Sequence, residues 1–134
     1  MKTNAALLII LIAFTSCDIL IVEPAIDYRE RITGSYAVEE HSQTYNDYTN
    51  YDIYIRKSGF SDEVIIENFY GAGIDVRATV DHDKIYISRQ VVEGYKAEGV
   101  GTFYGDEIQF SYSVTDTWSS HDPTDFCNAT AWFD

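Results

Sequence analysis

From Gly34 to the end of the chain, apolar residues recur at every second position rather than every third or fourth. Ile74, Val76, Ala78 and Val80 alternate with Asp75, Arg77 and Thr79, and a period of two lines one face of an extended strand. Ile85 and Ile87 resume the apolar face after the turn Asp81-His82-Asp83. Tyr95, Ala97, Gly99, Gly101 and Phe103 form the next alternating series, and Ile108, Phe110, Tyr112 and Val114 follow the tight turn Gly105-Asp106. Tyr36 and Val38, Ile53 and Ile55, and Val64 and Ile66 mark three earlier strands, and Cys127 to Phe133 the last. Eight strands spaced about 8 to 14 residues apart, with no helical stretch between them, predict an all-β domain. Eleven Tyr, seven Phe and two Trp against two Pro favour the same class.

Connections this short join antiparallel neighbours, so the simplest topology is an up-and-down meander. Eight strands suffice to close a small barrel, which removes the exposed edges of an open sheet. A two-sheet β-sandwich is the alternative. Ile74, Val76, Ala78, Val80, Ile85, Ile87, Ile108, Phe110, Tyr112 and Val114 are the expected inward set. Gly99 and Gly101 share one strand face, where a missing Cβ permits a bend or a close backbone approach; a core this small is most easily filled by its own side chains, with a narrow pocket beside the two glycines as the alternative.

The amino-terminal segment has a different grammar. Met1-Lys2-Thr3-Asn4 is basic, Ala5 to Phe14 is ten apolar residues without a charge, and Phe14-Thr15-Ser16-Cys17 closes it with small residues before a cysteine. This is the order of a secretory signal, and ten residues are too few for a spanning helix. Its ending resembles the lipobox of bacterial lipoproteins, with Phe14 where Leu is usual. The resemblance implies that residues 1–16 are a signal peptide and that Cys17 becomes the first mature residue and carries lipid. Residues 17–33 then form the lipidated cysteine and its tether, interrupted by Pro24, with a turn or two expected before Ile32. The β-barrel domain occupies 34–134. Cys127 is left without a partner and is expected as a buried strand cysteine; a Cys17–Cys127 disulfide is the alternative.

Gly34-Ser35-Tyr36, opening the first strand, resembles the Gly-x-Trp start of lipocalins with Tyr in place of Trp. With the meander that follows, the chain is similar to the lipocalin-like domains carried by lipoproteins of Bacteroidetes. This implies a bacterial cell-envelope location, lipid-anchored at the outer membrane.

Acidic residues outnumber basic ones 22 to 9, giving a formal charge of −13. Nucleic-acid backbone binding, which depends on clustered Lys and Arg, is therefore excluded as a function class. A hydrophobic fraction of 46% separates the chain from disordered sequences of similar charge.

In a meander alternate loops share an end, so the segments His41–Asn50 and Asp116–Phe126 are expected at one rim, brought together if strands 1 and 8 pair. That rim gathers Tyr45, Tyr48, Trp118 and Phe126 with Asn46, Asp47, Asn50, Asp122 and Asp125. Aromatic faces beside carboxylates and amides suit a sugar or a partner protein with aromatic anchors. The same residues would also arise from aromatic rings covering a barrel end and Asn and Asp making turns. Tyr45, Tyr48, Trp118, Asp122 and Phe126 are the expected ligand or partner residues.

His41, His121, Asp122 and Asp125 lack the tight spacing of a transition-metal site, and Asn46, Asp47, Asn50 and Asp52 lack the alternation of a calcium loop. No metal or cofactor is expected. No Gly-x-Ser-x-Gly, phosphate-binding Gly loop or His-Glu-x-x-His is present, so the expectation is a monomeric, non-catalytic binding module. Its ligand at the open rim is a small apolar molecule or a sugar. The alternative is a protein-interaction or inhibitor module using the same aromatic loops.

Overall fold

The computed structural model describes residues 26–134; the signal segment, Cys17 and most of the expected tether lie outside the described residues. Eight antiparallel strands run in sequential order: β1 Gly34–Ser42, β2 Asp47–Lys57, β3 Glu63–Phe69, β4 Ile74–Asp81, β5 Lys84–Val92, β6 Tyr95–Tyr104, β7 Glu107–Asp116 and β8 Asp125–Phe133. β8 returns to pair with β1 from Ser42↔Cys127 to Tyr36↔Phe133, which closes the barrel and sets aside the sandwich.

All ten residues expected inward are buried. They pack with Val38, Ile55, Val64, Ile66 and Phe69 in one apolar cluster. Burying such a set removes apolar surface from water, the main favourable contribution in a domain of this size.

The strands at the rim run further than the apolar pattern suggests. His41–Asn50 was expected as one long loop, yet Ser42 pairs with Asp47 and His41 with Tyr48, so only residues 43–46 turn. Asp47 to Asn50 are exposed on both faces of this hairpin. Without a buried face, no alternation is written into the sequence. β8 begins at Asp125, two residues before its first buried apolar residue, Cys127, because the inward position at 125 is filled by a polar side chain.

The other end is closed. A 3₁₀ turn, Tyr28–Arg31, is capped by the Asp27 side chain. It leads to Ile32, which is 1% exposed and whose carbonyl accepts from the Tyr36 hydroxyl at 2.9 Å. The Arg29 guanidinium donates to the carbonyls of Phe60 at 2.6 Å and Glu63 at 3.0 Å, and the Tyr28 ring lies 4.4 Å from that of His82. The last stretch of the expected tether is thus packed on the barrel. Both ends of the described chain lie here, with Asp134 N donating to Ser35 O at 2.9 Å.

Gly99 and Gly101 answer to close approach rather than to a cavity. A Cβ at Gly99 would collide with Tyr112 Cβ and lie 2.5 Å from the Ser111 carbonyl. The depression at this place is a groove on the outer wall, lined by Gly99, Ser111 and Phe126 among others. Because the obstruction includes backbone, Gly99→Ala is expected to destabilise by about 1–3 kcal/mol, the usual range for overpacking. Urea unfolding checks this, and an unchanged midpoint would show that β6 and β7 are free to move apart.

Candidate functional site at the open rim

The rim opposite the chain ends holds the turns after β1, β3, β5 and β7. The first and last are tied together: Gln43 N donates to Phe126 O at 2.7 Å, Thr44 Oγ1 to Thr124 O at 2.9 Å, and Phe126 N to Thr44 Oγ1 at 3.0 Å. Between them opens a cleft of about 170 Å³ lined by Tyr45, Tyr70, Tyr95, Val114, Asp116, Asp122, Pro123 and Asp125. Tyr70 stands on the turn after β3, where its backbone is left-handed at φ 62°. Its ring centroid is 6.2 Å from that of Tyr95, at an interplanar angle of 60°.

Beneath the cleft lies a buried polar layer that no expectation included. Glu40 and Asp125 are each 4% exposed and face inward among apolar residues. Glu40 Oε2 accepts from the hydroxyls of Tyr51, at 2.6 Å, and Tyr112, and these two hydroxyls are 2.8 Å apart. Asp125 accepts from Ser42 Oγ at 2.5 Å and from the Tyr70 hydroxyl. Asp125 therefore belongs both to this floor and to the cleft lining.

Burial pushes the Glu40 carboxyl above its ordinary range, against the hydroxyl donors that favour its charged form. The Tyr51, Tyr70 and Tyr112 hydroxyls are all pushed upward, by burial first and then by Glu40 at Tyr51, by Asp125 at Tyr70, and by Tyr51 and Glu40 at Tyr112. Cys127 is buried and has no disulfide partner among the described residues, and its thiol is likewise held protonated by burial and by Glu40 and Asp125. A protonated thiol is a poor nucleophile.

The ligand atoms of Glu40, Asp125 and Cys127 lie within 4.8 Å of one another, a spacing a metal ion could bridge. Both carboxylates, however, already accept from hydroxyls, so an ion would have to displace those donors. The histidines considered at the rim do not converge on it. His41 faces outward and stacks on Tyr48 at 4.6 Å, His121 is exposed in the last loop, and Asp125 turns inward.

Of the residues expected to form the site, Tyr45 and Asp122 line the cleft. Tyr48, Trp118 and Phe126 do not. Tyr48 lies on the outer face of β2, Phe126 on that of β8, and Trp118 is 79% exposed, with its ring over Gly94. Asn46, Asp47, Asn50 and Asp52 are spread along the exposed hairpin. The signal for the missed floor was parity: Tyr36, Val38, Glu40 and Ser42 share a face, so an inward β1 carries an acid into the core.

A spectrophotometric titration checks the floor. Part of the tyrosinate absorbance is expected to appear only together with loss of the far-ultraviolet strand signal, because the protonated hydroxyls are held by the folded barrel. Complete tyrosine ionisation in a still-folded barrel would contradict the hydrogen-bonded floor.

No protein-family model matches the chain, and no curated protein matches it.

Proposed function

We propose that this chain is a cell-envelope lipoprotein, anchored by lipid on Cys17, whose lipocalin-like barrel is a non-catalytic binding module taking a small ligand at the rim cleft. The observation that carries the reading is the cleft itself: three tyrosine rings and three carboxylates converge on about 170 Å³. A wholly apolar ligand is disfavoured there, since it would strip water from carboxylates without replacing it. The volume is below the roughly 300 Å³ of drug-sized pockets, which fits a single ring or a headgroup. The described chain begins at the end opposite this rim, so a lipid on Cys17 would draw the closed end to the membrane and leave the cleft outward.

The alternative use, docking an envelope protein, draws support from Tyr48, Trp118 and Phe126, which are exposed around the outside of the rim.

Two measurements test the proposal. Mass spectrometry of membrane-extracted protein is expected to find Cys17 as a lipid-modified amino terminus; an unmodified Cys17 peptide or an intact Met1 terminus would remove the anchor. Native mass spectrometry of the full chain, incubated with a small-molecule envelope extract, is expected to show a retained mass that is lost in Tyr45→Ala, Asp122→Asn. Retention by that variant equal to wild type would remove the cleft as the site.

A further inference from the structure

We infer that the rim cleft is a site for an organic cation, an alkylammonium group seated against the lining of Tyr45, Tyr70 and Tyr95 and countered by Asp116, Asp122 and Asp125. The inference rests on the reading of the cleft as a ligand site and adds the class of ligand.

Two independent features of the cleft converge on positive charge. The first is its walls. Tyr70 and Tyr95 pack against each other as a tilted pair, centroids 6.2 Å apart at 60°, and both line the cleft together with Tyr45. An ammonium group is drawn to an aromatic face within about 6 Å of the ring centroid, and three tyrosines line this one cleft. The Tyr70 ring is also held in place, because its hydroxyl donates to Asp125.

The second feature is uncompensated charge. Ion pairs among the described residues join Arg29 and Lys57 to Asp27, Lys57 to Glu30, Arg56 to Glu67, Arg77 to Glu63, His82 to Asp81 and Arg89 to Glu98. None of them involves Asp116, Asp122 or Asp125. Asp116 Oδ1 accepts from Trp118 N at 3.0 Å and Asp125 from Ser42 and Tyr70, all neutral donors. The Asp122 carboxylate accepts no hydrogen bond among the described residues.

These features discriminate among ligands. An anion would meet three carboxylates with no basic group in ion-pair contact, and a neutral sugar would stack and donate but leave the charge in place. An alkylammonium group uses the rings and offsets the charge, and the chain's −13 draws cations toward it.

The test is calorimetric titration of the full chain in nonionic detergent at physiological ionic strength, where exposed charges are screened. Tetramethylammonium chloride, sodium chloride and D-glucose are the probes. Saturable binding of tetramethylammonium, absent with sodium, is expected. It should weaken about two- to five-fold in Tyr45→Ala and in Asp122→Asn, and about ten-fold in the double variant. Both positions are exposed at the mouth, and Tyr86→Ala on the far outer wall is expected to bind as wild type. Binding that survives the double variant would place the cation elsewhere and overturn the inference. Saturable glucose binding without tetramethylammonium binding would also overturn it while leaving the cleft a ligand site. If no probe binds, the cation inference falls, and the extract experiment above decides separately whether the cleft binds anything.

Discussion

Val76→Asp is expected to leave the chain unable to fold, whereas Arg77→Ser, one residue on, should change stability by no more than about 0.5 kcal/mol. Val76 is fully buried in the apolar cluster between β3 and β5, and Arg77 points to solvent. A carboxylate at position 76 would sit within this buried, predominantly apolar cluster. Burying an unpaired charge costs more than several kcal/mol, which rivals the roughly 5–15 kcal/mol that holds a whole domain together. Circular dichroism and urea unfolding separate the two variants. Similar behaviour of both would mean that the inward face of β4 has been misassigned.

The second large effect is in pH dependence, and it comes from Glu40. Burial holds its folded carboxyl above the ordinary value of 4.5. As pH rises past that value the unfolded chain releases this proton while the folded chain keeps it. The unfolded state then binds fewer protons, so stability falls. Glu40's contribution is complete below its ordinary value and is lost as pH rises through its raised one. Asp27 works in the opposite sense, since its pairing with Arg29 lowers its value. Its effect lies below 3.8, outside that window. Urea midpoints are therefore expected to decline from mildly acidic to neutral pH in the wild type. In Glu40→Gln, which keeps the shape and an acceptor for Tyr51 and Tyr112, that decline should flatten. An identical slope in the variant would assign the titration to another group.

The contrast between these two residues also shows which parts of the molecule the sequence could disclose. β4 and β7 were legible because each buries one whole face, and burial writes a period of two into the residues. The hairpin tip at Asp47–Asn50 was not, since neither face is covered. Asp125 looked like a turn residue, being polar and following Pro123 and Thr124. Its parity with Cys127 nevertheless places it inward and Phe126 outward, so extending the β8 alternation by two residues would have separated the cleft residue from the wall residue. Glu40 stood at an inward position of β1, but its tyrosine partners come from β2 and β7, and the polar layer became visible only when the barrel closed. Tyr70 and Tyr95 carry no sequence mark of a ligand residue because they sit at short turns, whereas loop length singles out the two outer loops.

The location of the site is tested most directly by mapping amide chemical shifts in the isotope-labelled full chain, in nonionic detergent, as tetramethylammonium is added. Perturbations are predicted to concentrate at Tyr45, Tyr70, Tyr95, Asp116, Asp122 and Asp125, with none at Tyr28–Arg31, His82 or Gly105 on the closed end. Shifts centred on the closed end, or on the outer-wall groove between Ala37 and Trp132, would contradict the assignment of the rim cleft as the binding site.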